Sequence, residues 1–139
     1  MTVKELLRIL QNYRYTAERL IETENRLENM QYKITPSYSG NPGGGRTNAV
    51  SNKVEDFATK LVRLNKTAEE CRRQLRIAEA TLYCPELSQM EKWLLDWIAA
   101  GGKVASFAEA RGIYISRAYK IRDKALKKAI KHISGQQSG

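Results

Sequence analysis

The chain has 139 residues, with 24 Lys and Arg against 15 Asp and Glu, a net charge of +9. That length admits one medium domain or two small ones, and the basic balance points to an anionic partner, most often nucleic acid. Zinc binding is not expected: the one histidine is His132, and the two cysteines, Cys71 and Cys84, lack CxxC spacing.

Both thiols are expected to be reduced and structural, as in a cytosolic protein. No basic-then-apolar leader pattern and no bilayer-length apolar run occurs, so no membrane role is expected. No cofactor, metal or catalytic constellation is expected either. The chain offers no nucleophile–base arrangement, and carboxylates such as Glu18 and Glu22 stand at helical salt-bridge spacing. An enzyme is the least favoured class.

Residues Thr2 to about Ile34 read as one long helix. Val3, Leu6, Leu10, Tyr13, Ala17, Leu20, Leu27 and Ile34 recur at alternating steps of three and four, a heptad seam that Glu24 and Gln31 interrupt. Lys4, Glu5, Arg8, Glu18, Arg19 and Glu22 alternate in sign on the other faces, as on a solvated helix. Pro36, Gly40, Pro42 and Gly43-Gly44-Gly45 then end the helix and make 35–49 a connector. This stretch lacks the Gly-Lys-Ser/Thr ending of a phosphate-binding loop.

The heptad returns at Val50 and runs through Val54, Phe57, Leu61, Leu64, Ala68, Cys71, Leu75, Ala78 and Leu82 without a break. Each helix would be about 50 Å long at roughly 1.5 Å per residue. Two such helices joined by a flexible connector favour an antiparallel coiled-coil hairpin over residues 1–84. The rival arrangement pairs the seams between chains and gives a homo-oligomer. Pro85 stops the second helix.

From residue 85 to 133 the pattern changes. Ser88 and Glu91 form a capping-box signature, followed by Met90, Trp93, Leu94, Trp97 and Ile98 at helical spacing. The two tryptophans are expected to pack in a core. Gly101-Gly102 ends that helix, and Val104 to Arg111 is the next. Gly112 stands where a helix-turn-helix needs its tight turn, with small Ala108 at the crossing and apolar Phe107, Ile113, Ala118 and Ile121 around it. Lys103 to Ile133 holds nine Lys or Arg against Glu109 and Asp123.

The outward face of the helix after Gly112 carries Tyr114, Ile115, Ser116, Arg117, Tyr119 and Lys120, the candidate base-reading residues for a major groove. Arg117 and Lys120 suit guanine, and Ile115 suits a thymine methyl group. Lys103, Arg111, Arg122, Lys124, Lys127, Lys128 and Lys131 are the candidate phosphate contacts. Residues 134–139 are Ser, Gly and Gln and are expected to be disordered.

Pro85 to Ile130 resembles region four of bacterial sigma factors. The matching residues are Leu87-Ser88, Glu91, Leu94-Leu95, Phe107-Ala108, Gly112-Ile113 and Lys124-Ala125-Leu126-Lys127-Lys128. Two residues depart from that pattern. Tyr114 replaces a capping Ser or Thr, and Arg111 replaces Leu, which gives the first helix of the pair a wetter face. A long helical stretch, a Pro/Gly-rich connector and a sigma-four-like end together resemble the phage late-gene activators of the ArpU and RinA type. The resemblance implies a phage or prophage transcriptional activator that binds double-stranded DNA, with bacterial RNA polymerase as a partner. The alternatives are a DNA-packaging recognition subunit of the small-terminase type, and a coiled-coil adaptor that binds protein and not DNA.

Overall fold

The computed structural model describes the backbone of residues 1–34 and 47–137, and the side-chain environments of residues 1–30 and 56–135. The described residues are all-α, with no strand: α1 Val3–Gln11, α2 Tyr13–Ile34, α3 Thr47–Leu82, α4 Gln89–Ala99, α5 Val104–Arg111 and α6 Ile115–Gln137. The first helix is therefore two helices. Asn12 separates them at φ −93° and ψ 6°, although its amide still reaches the Arg8 carbonyl at 3.1 Å. Asparagine competes for its own backbone and is a weak helix former. At two boundaries, helix extends beyond the expected limits. Residues 47–49 already belong to α3, ahead of Val50, and α6 carries on through Ser134 to Gln137 in place of a disordered tail. Adding residues to an existing helix needs no new nucleus, and Ile133, which is buried, anchors this one. The connector from 35 to 46, with its glycine triplet, and residues 138–139 lie outside the described residues.

Contacts divide the chain into two compact units, Met1–Ala17 with Arg73–Gly139, and Glu18–Arg72. This is not the division at residue 84/85 that the sequence suggests. Leu6 and Leu10 of α1, one turn apart on one face, are fully buried in the same core as Ile77, Leu94, Phe107 and Leu126. Thus α1 and the end of α3 belong with the C-terminal helices. The first unit holds fifteen Lys and Arg against seven Asp and Glu, a net of +8, while the second holds nine against eight. Nearly all of the excess charge therefore sits in the first unit.

In the second unit, Arg72 of α3 donates to the Glu24 carboxylate of α2 at 3.1 Å. Arg26, Asn29 and Met30 line a groove with Lys60, Arg63 and Leu64. Rising numbers on α2 meet falling numbers on α3, an order compatible with an antiparallel hairpin. Along α3, Ala68 and Cys71 are buried and Phe57, Leu61 and Leu64 half-buried, as the heptad requires. The interruption expected at Glu24 is bridged by its neighbour. Thr23 is buried and donates its hydroxyl to the Arg19 carbonyl at 2.7 Å, so the polar group enters the interior satisfied.

Candidate nucleic-acid interface

α4 is the element that fixes the rest of the first unit. Its N-terminus is a full capping box: Ser88 Oγ accepts from the Glu91 amide at 3.2 Å, and Glu91 Oε1 accepts from the Ser88 amide at 2.9 Å. The same Oε1 accepts from Lys128 Nζ of α6 at 2.7 Å. Burial pushes the Glu91 carboxyl up, but the bonds from Lys128 and Ser88 outweigh it and hold the group below its ordinary value. At the other end of α4, Arg14 donates to the Ala100 carbonyl at 3.3 Å, and Gly101 turns the chain at φ 95°.

The tryptophans expected in the core lie at its edge. Trp93 is 39% and Trp97 37% exposed, because Leu94, Leu95 and Ile98 occupy the inward face of α4. Trp97 instead braces α5 from the side. Its indole Nε1 donates to the Lys103 carbonyl at 2.9 Å, and its ring meets Phe107 edge-on at 6.0 Å. Gly102 makes this possible, since a Cβ there would overlap the Trp97 indole.

α5 ends at Gly112, whose left-handed φ of 67° and ψ of 33° allow its amide to reach the Ala108 and Glu109 carbonyls. Ile113 then bonds back to the Ala108 carbonyl at 3.0 Å, and the Tyr114 carbonyl takes the Ala118 amide at 3.1 Å to begin α6. Phe107, Ala108 and Ala118 are buried where α5 and α6 meet, and Ile113 and Ile121 are half-buried beside them. The geometry is compatible with a helix-turn-helix.

All six candidate base-reading residues are exposed: Tyr114, Ile115, Ser116, Arg117, Tyr119 and Lys120. The candidate phosphate residues divide. Lys103, Lys124, Lys127 and Lys131 are exposed. Lys128 is held by Glu91, Arg122 grips Asp123 through two nitrogens at 3.0 and 3.1 Å, and Arg111 lies 4.1 Å from the centre of the Trp93 ring. These three cations make α4–α6, α6-flank and α4–α5 contacts respectively, with Arg111 exposed and Arg122 and Lys128 half-buried. Sequence spacing alone cannot expose such pairings, because the partners lie on other elements or compete locally.

Taken singly, the remaining lysines conceal a pattern. Arg117, Lys120, Lys124, Lys127 and Lys131 step by three, four, three and four, and all are exposed. On a helix these steps make one stripe. It lies opposite the buried Ala118, Ala125, Leu126 and Ala129. At roughly 1.5 Å per residue it is about 21 Å long. None of the five makes an ion pair among the described residues. The chain matches no known protein family, no curated protein and no solved structure.

Proposed function

We propose that this chain is a sequence-specific double-stranded DNA-binding transcriptional regulator, an activator of phage or prophage genes. In this reading α5 and α6 are a region-four-like helix-turn-helix, and α2 and α3 an antiparallel coiled-coil hairpin that carries it. The start of α6 enters the major groove, whose width of about 12 Å accepts a helix. Arg117 and Lys120 meet base edges, and Lys124, Lys127, Lys131 and Lys103 meet phosphates. The stripe of five exposed cations on α6, beginning two turns or less after Gly112, is the observation that carries the proposal. The phage assignment and the partnership with RNA polymerase rest on the sequence resemblance.

The uncompensated stripe has an energetic consequence. Each cation that meets a phosphate displaces a condensed counterion, which makes affinity fall with salt. Selecting duplexes from a random pool with the full chain tests the reading. Enrichment of a defined sequence, with binding that weakens steeply between 50 and about 200 mM salt, is expected. Failure to enrich any sequence would overturn it.

A further inference from the structure

The start of α6 breaks the local rules for starting a helix. Tyr114 supplies the carbonyl that opens the helix, yet a tyrosine ring cannot cap free backbone amides as Ser, Thr, Asp or Asn do. It is 84% exposed, and Ile115 beside it is 49% exposed. A large side chain thus faces solvent at the cap position, Tyr114, and a second at the first helical position, Ile115. Local conflicts of this kind concentrate at functional sites. Tyr119, one turn further on, differs from this pair. The Arg122 guanidinium lies 4.8 Å from its ring centre and is itself fixed by Asp123, so that ring is already in use.

In the major groove the apolar group that a base pair presents is a methyl on pyrimidine C5. Given duplex binding by this surface, on which the inference rests, the geometry points to Tyr114 and Ile115 as the specificity-determining pair that reads C5-methyl pyrimidines. Both lie within one turn of Arg117 at the start of α6, Tyr114 on the side of the cationic stripe and Ile115 on the side of the buried Ala118, so a methyl-bearing step lies next to the bases met by Arg117 and Lys120. Thymine and 5-methylcytosine present the same methyl group at the same position.

The test uses the full chain and a duplex selected from the random pool. Each thymine of the site is replaced in turn by deoxyuridine, which removes the methyl and keeps every hydrogen-bonding group. At one or two positions the affinity should fall about fourfold per methyl. Replacing those same base pairs by C·G with 5-methylcytosine, against unmethylated cytosine, separates the sources: recovery with the methylated base shows that the methyl itself is read, and no recovery assigns the site to thymine. In Ile115→Ala and Tyr114→Ala the deoxyuridine penalty should shrink, and circular dichroism checks that both remain helical. The wild-type measurement needs no variant. If wild type tolerates deoxyuridine throughout a duplex that it still prefers to random sequence, the methyl reading is wrong while duplex recognition stands, and the apolar pair is left for a protein contact. If no duplex is preferred at all, both fall together.

Discussion

Replacing Glu91 by glutamine perturbs the junction that holds α6 against α4. The wild-type side chain is 6% exposed and accepts from Lys128 Nζ at 2.7 Å and from the Ser88 amide at 2.9 Å. A hydrogen bond to a charged group contributes about 1.5–3 kcal/mol net. Glutamine keeps an acceptor for both donors but loses the ionic share and puts its amide nitrogen at the Oε2 position, which is buried without a partner. Lys128 is 30% exposed and can turn toward water, which limits the cost of leaving it unpaired. The expected loss is therefore about 1–2 kcal/mol for Glu91→Gln. Glu91→Ala also loses the reciprocal half of the capping box, which brings the loss to about 2–3 kcal/mol. The pH dependence follows from the lowered Glu91 carboxyl, whose ordinary value is 4.5. A group depressed by folding stabilises fully above its unfolded value, and the stabilisation disappears as pH falls through the folded one. The gap between wild type and Glu91→Gln should be constant near neutrality and close below about pH 4.5. Urea unfolding followed by circular dichroism from pH 7 to about pH 3 measures it. Equal midpoints at neutral pH, or a gap unchanged in acid, would refute the reasoning.

The other predictions concern the braces of the turn and the charge of α6. Gly102→Ala should destabilise by about 2–3 kcal/mol, because the new Cβ displaces the Trp97 indole from Phe107 and the Lys103 carbonyl; thermal unfolding measures the loss, and an unchanged midpoint would contradict the packing. Gly112→Ala should cost about 1–2 kcal/mol from left-handed strain alone, since a Cβ there meets open space, and Gly112→Asn should cost less. Lys127→Ala should weaken binding to selected and random duplexes alike and reduce the salt slope by about 0.9; a loss confined to the selected duplex would move Lys127 to a base contact.

What the sequence made legible was mostly short-range chemistry. The limits of α5, the Ser88–Glu91 box and the turn at Gly112 all follow from residues within a few positions of one another, and the structure has all three. The seam of α3 was legible for the same reason: each turn repeats the signal. The positions that escaped depend on contacts made across elements. Thr16 and Thr23 read as polar, yet both are buried; Thr23 does so by bonding the Arg19 carbonyl, and Thr16 lies within 3.5 Å of Gln74. Lys128 reads as one more surface lysine, and only the fold brings it to Glu91, thirty-seven residues away. The tryptophans, four apart on one helix face, read as core, but that face has room for few large side chains, and Leu94, Leu95 and Ile98 occupy the inward positions. The first unit also recruits α1 from the far end of the chain, which no local pattern reveals.

The central claim is that the exposed face of α6 recognises duplex DNA by sequence. Fluorescence anisotropy of the full chain with a selected duplex and a scrambled duplex, at one stated salt concentration, tests it most directly. The account predicts a preference of about a thousandfold or more for the selected duplex, and its collapse toward unity when Arg117 and Lys120 are both replaced by alanine. A double variant that kept the wild-type preference, or a wild-type chain that bound neither duplex at low salt, would contradict it.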